Sequence, residues 1–172
     1  MIIKFKGKKS HASYPEQGLN PAYAIAEIVN MLPTIADQNL YRGLVLVTVV
    51  QINVGERAFG VSAGNGELLL TVRGENEDEL NDLIKHITDE ATSKACAYGL
   101  QCEIEFDDKF PETRNHQLAM LKVKQSAETL GFKFEIQKEK WRSSEDLVIY
   151  QGDTGSYVLH WRWAKLSCLA YH

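Results

Sequence analysis

Residues 7–22 read Gly-Lys-Lys-Ser-His-Ala-Ser-Tyr-Pro-Glu-Gln-Gly-Leu-Asn-Pro-Ala and put a histidine, His11, just past an alternating strand carrying Ile3 and Phe5. Pro15 and Gly18 punctuate the loop that follows. Asn20 and Pro21 suit the N-cap and first position of a helix, where the missing proline N–H costs nothing. A strand-end histidine on such a stiff loop is a side chain held out toward something, although an ordinary surface histidine fits the same residues. Thiolate chemistry has less to work with. Cys96, Cys102 and Cys168 form no Cys-x-x-Cys pair, and their odd number suits free thiols in a reducing cytoplasm better than a zinc site. Cys102 alternates with Ile104 and Phe106 and reads as core. No cluster of His, Asp and Glu supplies the three or four ligands a zinc ion needs.

The elements that must position His11 follow from hydrophobic period. Residues 2–8 form a short strand. Ala22, Ile25, Ile28, Val29 and Leu32 fall on one helical face, a stripe that ends at Pro33. Residues 44–54 are a long Val-rich run that prefers strand, closed by Gly55. A looser segment, 60–66, precedes a strand over 67–73 with Leu68, Leu70 and Val72 inward. Asn76 opens a second helix, with Glu75, Glu77, Asp78 and Glu79 crowding its positive N-terminal end. Its stripe is Leu80, Leu83, Ile84, Ile87, Ala91 and Ala95, and Gly99 suits the C′ position. Residues 101–106 are a fourth strand.

This order predicts an α+β, ferredoxin-like βαββαβ domain over residues 1–108, with two helices covering one face of a four-stranded antiparallel sheet. A Val-rich strand at the edge of such a sheet invites pairing with a second copy, so a homodimer through the sheet edge and helices is expected. The polar segment 107–114 contains Pro111 and marks a boundary. Beyond it, Leu118, Leu121, Ala127 and Leu130 form the stripe of a third helix, capped by Asn115 and ended by Gly131. Phe132, Phe134 and Ile136 mark a strand, Ser143 and Asp146 have capping-box-like spacing, and residues 156–161 read as a last strand. Residues 161–172 show no clear period. These elements are too few to close a core, so residues 109–172 read as part of a domain, its aromatic residues Trp141, Tyr157, Trp161 and Trp163 partly exposed or buried in a dimer.

Composition removes several classes of function. Of the 172 residues 44% are apolar and 24% charged, near globular averages, which argues against disorder. A net charge of -4 with mixed signs carries no footprint for nucleic acid or anionic membrane. Lys4, Lys6, Lys8 and Lys9 read as the solvated face of the first strand. No apolar run approaches the roughly 20 residues that span a bilayer. The N-terminus has no apolar core followed by a cleavage site, so a cytoplasmic location is expected.

The pattern Gly-x-x-Ser-His-Ala-x-x-Pro-x-x-Gly-x-Asn-Pro-Ala resembles the start of the lid, or dimerisation, domain of the zinc-dependent amidohydrolases and peptidases, a family that includes acetylornithine deacetylase, succinyl-diaminopimelate desuccinylase, aminoacylase and glutamate carboxypeptidase. The segments 55–60 and 66–73 are similar to the second half of that lid sheet. Phe110-Pro-Glu-Thr113 with Asn115 resembles the return into the catalytic domain, and Ser144-Glu-Asp-Leu147 its Ser-Glu-Asp-Phe motif. The resemblance implies a lid followed by the C-terminal segment of an incomplete α/β catalytic domain, residues 109–172. It implies hydrolysis of amide bonds of N-acyl amino acids or short peptides by one or two zinc ions and a glutamate base. In that family the histidine matching His11 reaches across the dimer to polarise the scissile carbonyl and stabilise the oxyanion. Arg73 could bind a substrate carboxylate bidentately, or be a solvated arginine. Glu145 and Asp146 match a motif lining the cleft near the metal, and helix capping explains them equally. His172 falls near the family's last metal-binding histidine, though Ala170 and Tyr171 intervene and a plain terminal residue fits as well.

The departures are informative. The family's metal-rich half, with a His-x-Asp strand, a bridging aspartate and a Glu-Glu pair, lies before the lid, and residues 1–172 are expected to lack it. An Asn that many relatives carry is replaced around Phe59-Gly60, and a Gly-rich turn by Trp161-Arg162-Trp163. The chain is therefore expected to be a fragment or a degenerate gene product, inactive alone and with no zinc bound to it alone. The competing reading is a free-standing ferredoxin-like small-molecule-binding or regulatory module without catalysis, which leaves residues 109–172 without a purpose. An RNA-binding sheet would need an aromatic-rich strand that is missing.

Overall fold

A computed structural model describes residues 1–112, 117–136 and 167–170, and the chain divides into two compact units, Met1–Lys109 and Phe110–His172. In the first unit β1 (Ile2–Lys6), α1 (Ala22–Ile35), β2 (Val45–Val54), β3 (Asn65–Gly74), α2 (Glu77–Ala97) and β4 (Gln101–Glu105) follow in the expected order. The sheet order is β2-β3-β1-β4 with every pair antiparallel, which is the ferredoxin-like arrangement.

Alternation sets the two faces. Ile3 and Phe5 of β1 lie beside Ile104 and Cys102 of β4, and Leu68 and Leu70 of β3 share their side, so these residues face the helices. α1 contributes Ala24, Ile25, Ile28 and Leu32 to the core, and α2 contributes Leu83, Ile87, Ala91 and Ala95. The other face is bare and charged, and Lys4 Nζ lies 2.7 Å from Glu105 Oε2 across β1 and β4.

Local details shift some boundaries. Regular helix begins at Ala22, one residue later than expected, while Asn20 Oδ1 still accepts from the Ala22 amide. α1 continues past Pro33 to Ile35, because a proline in the last turn removes a single i−4 bond and Ile35 packs against the core. Asn76 flanks α2 without accepting a capping bond; its side chain donates to Glu79 instead. Gly99, at φ +65°, ends α2 with a Schellman pair: Gly99 N–H donates to Cys96 O and Leu100 N–H to Ala95 O. β4 stops at Glu105, which leaves Phe106 half exposed and outside the core.

In the second unit α3 (Gln117–Thr129) is followed by β5 (Lys133–Ile136), which pairs in parallel with β6 (Ser167–Ala170). The expected stripe of α3 is corrected: Ala127 is buried, whereas Leu118, Leu121 and Leu130 are exposed. β6 was not expected, since Ser-Cys-Leu-Ala has no alternation to announce it. The cap at Asn115, the helix start at Ser143, the strand over 156–161 and the tail aromatics lie outside the described residues.

Candidate functional site

His11 lies on a loop closed at its base and along one side. At the base, Lys8 N–H donates to Leu19 O at 3.0 Å and Leu19 N–H returns to Lys8 O at 2.9 Å. Within the loop Pro15–Gln17 makes one 3₁₀ turn. The loop has no slack at Gly18, where a Cβ would meet Ser10 Oγ at 2.6 Å. That close approach is the physical requirement behind the glycine of the sequence pattern.

Along the side, the loop is strapped to the 55–64 connection between β2 and β3. Gly7 N–H donates to Gly64 O at 2.7 Å and Ala12 N–H to Gly60 O at 3.0 Å, and His11 forms an isolated antiparallel bridge with Val61. Ser62 N–H donates to Ser10 O, Ser10 N–H donates to Ser62 Oγ, and the two hydroxyls share a hydrogen bond, each at 2.9 Å. Lys9 and Glu56 add an exposed ion pair at 3.0 Å. Neither Ser62 nor its pairing with Ser10 was legible in the sequence, because the contact spans 52 residues.

The imidazole itself is exposed, and its Nδ1 accepts from Ser13 N–H at 3.1 Å. An Nδ1 engaged as acceptor carries no proton in the neutral ring, so the proton sits on Nε2 and that nitrogen is a donor. The Tyr14 ring stands 6.3 Å from the imidazole.

Arg73 is not part of this cluster. It sits at the far end of β3, opposite Leu46, on the bare face of the sheet. Eight residues separate it from Asn65, where β3 leaves the His11 end, or about 26 Å of strand. An open concavity of about 580 Å³ on the bare face is lined by Lys4, Lys6, Glu67 and Glu103 among others, and by neither His11 nor Arg73. Glu145, Asp146 and His172 lie outside the described residues. Among the described residues no three His, Cys, Asp or Glu side chains gather as a metal site. No helix among them is long and apolar enough to cross a membrane.

A second polar cluster was not anticipated. Glu79, expected only to favour the helix dipole, is buried. Its Oε1 accepts from Arg42 N–H at 2.7 Å and its Oε2 from Gly43 N–H at 2.8 Å and from Asn76 Nδ2 at 2.8 Å. Glu75 Oε2 takes Leu44 N–H, and Gln38 Oε1 takes Val45 N–H. Four successive backbone donors leading into β2 are thus satisfied by side chains. The Asn76 bond, followed by those from the Arg42 and Gly43 amides, lowers the Glu79 pKa to about 2.

Comparison with known proteins fits this geometry. The sequence model described as the peptidase dimerisation domain matches residues 1–98. An N-acetylcysteine deacetylase of Bacillus subtilis is 26% identical over 152 residues, covering 87% of this chain and 39% of the relative. An N-acetyldiaminopimelate deacetylase of Oenococcus oeni is 31% identical over 106 residues, covering 60% of this chain and 27% of the relative. The chain therefore spans well under half the length of these curated relatives. Among solved structures, a hydantoinase/carbamoylase family amidase from Burkholderia ambifaria superposes with a TM-score of 0.66 at 17% identity, over 99% of this chain and 39% of the amidase. An aminopeptidase from Bacillus cereus gives 0.69 at 13% identity, over 86% and 39%. At these identities the structures share the fold.

Proposed function

Because the chain belongs to the peptidase dimerisation domain family, we propose that it is the dimerisation and lid module of a zinc-dependent amidohydrolase or peptidase acting on amide bonds of N-acyl amino acids or short peptides. Residues 1–108 would be the lid and 109–172 a C-terminal segment of the catalytic domain. The names of the two deacetylase relatives support the substrate class. The observation that carries the reading is the single available donor of His11. An Nε2–H left free by the Ser13–Nδ1 hydrogen bond suits a group that polarises a carbonyl and stabilises the oxyanion that forms from it.

Two chains are needed for this reading. β2 is an edge strand, and Val49, Val50 and Ile52 on it are 36%, 60% and 50% exposed. An open ladder edge with apolar side chains beside it suits antiparallel addition of a second copy, which gives a homodimer. Arg73 lies at the end of β3 away from the His11 loop, about 26 Å of strand from Asn65, so if it binds a substrate carboxylate, that substrate is not the small molecule His11 touches from the same protomer. The two free thiols described, Cys96 and Cys102, support a cytoplasmic location. Replacement of His11 tests the reading. In the hydrolase containing this domain, His11→Ala should lower kcat for an N-acetyl amino acid by about 10²–10³-fold with KM little changed. An unchanged kcat would remove His11 from the reaction.

A further inference from the structure

The strap beside His11 carries a residue whose role none of the sequence patterns names. We propose that Ser62 is the positioning residue that fixes His11, by clamping the peptide before the histidine; the functional weight of this rests on the reading of His11 given above. Ser10, the residue before His11, spends both its backbone groups on Ser62. Its N–H donates to Ser62 Oγ and its carbonyl accepts from Ser62 N–H, while the two hydroxyls pair, each contact at 2.9 Å. Rotation about either backbone bond of Ser10 breaks at least one of the three. The residue after His11 is tied to the same connection, since Ala12 N–H donates to Gly60 O at 3.0 Å. His11 is therefore spanned on both sides by one short segment, 60–62, and Ser13 N–H then sets the ring through Nδ1 at 3.1 Å.

The clamp depends on a hydroxyl. Ser62 Oγ accepts from the Ser10 amide while sharing a hydrogen with Ser10 Oγ, a double duty open to serine or threonine and closed to alanine. Alanine at position 62 leaves the Ser10 amide without its acceptor and the half-buried Ser10 hydroxyl without its partner.

The test is nitrogen-resolved NMR of this chain, at a pH where the His11 ring is neutral. Ser62→Ala should speed amide exchange at Ala12 about tenfold, the equivalent of one net hydrogen bond, and move the two ring nitrogen shifts of His11 from those of an Nε2–H tautomer toward averaged values. Ser62→Thr should restore both. The amide of Ile87, buried in α2, is the internal reference and should be unaffected. Unchanged Ala12 exchange and ring shifts in Ser62→Ala, a failure of Ser62→Thr to restore them, or an equal rise at Ile87 would each overturn the proposal. Hydrolysis by His11→Ala is read independently. If that variant retains full kcat, the role of His11 falls while the ring shifts still report whether Ser62 holds it.

Discussion

Glu79 lies in the first turn of α2, where a carboxylate favours the helix's positive end whatever else it does. Its position in the fold adds a second task, accepting from the Arg42 and Gly43 amides and from Asn76. A carboxyl whose folded pKa is depressed to about 2 binds its proton more readily in the unfolded chain, where Glu titrates near 4.5. Its contribution to stability is complete above about pH 4.5 and is lost as the pH falls toward 2. Thermal melts across that window should show the midpoint of the native chain dropping. Glu79→Gln should melt lower at pH 7 and change less between pH 4.5 and 2. A parallel pair of curves would show that the carboxylate is not charged when folded. At the same scale, His11 shows how a neighbour fixes one residue's chemistry: the Ser13 amide occupies Nδ1 and so holds the proton of the neutral ring on Nε2.

At the scale of elements, β2 carries two features with different causes. The residues that lead into it are fixed by side-chain acceptors from Gln38, Glu75 and Glu79. Its middle is irregular, since the register with β3 shifts between Val49 and Gln51 and leaves Val50 as the extra residue of a bulge. Bulges are common on edges, where they limit indiscriminate pairing. The partner of this edge is expected to meet the side chain of Ile52, so Ile52→Lys should shift sedimentation at micromolar concentration from dimer to monomer without unfolding the chain. A native chain that is already monomeric would remove the edge-pairing reading. The Val-rich strand was legible because β-branched residues repel helix; the bulge was not, because it is a mismatch between two strands and neither alone records it.

For the molecule, the core of the first unit is drawn from residues within the first 104. Leu83 is fully buried among them, from α2 against the sheet. Leu83→Ala should cost about 2–5 kcal/mol, the range for a buried leucine left as a cavity, measured by urea unfolding with a far-UV signal. A loss below about 1 kcal/mol would mean that the helices repack freely over the sheet. The second unit follows a different rule. The helical stripe expected over Leu118, Leu121 and Leu130 is exposed, because period says which residues share a face and not whether anything covers it.

The order of elements in the first unit, the inward residues of β1, β3 and α2, the stop at Gly99 and the loop that carries His11 were all determined by the sequence. Each depends on contacts a few residues apart, where period and backbone preference act directly. Three things were decided only when the chain folded: the burial of Glu79, the Ser10–Ser62 clamp, and the distance that keeps Arg73 away from His11. Each arises between segments remote in sequence, and hydrogen bonds of that kind leave no periodic trace in the order of residues.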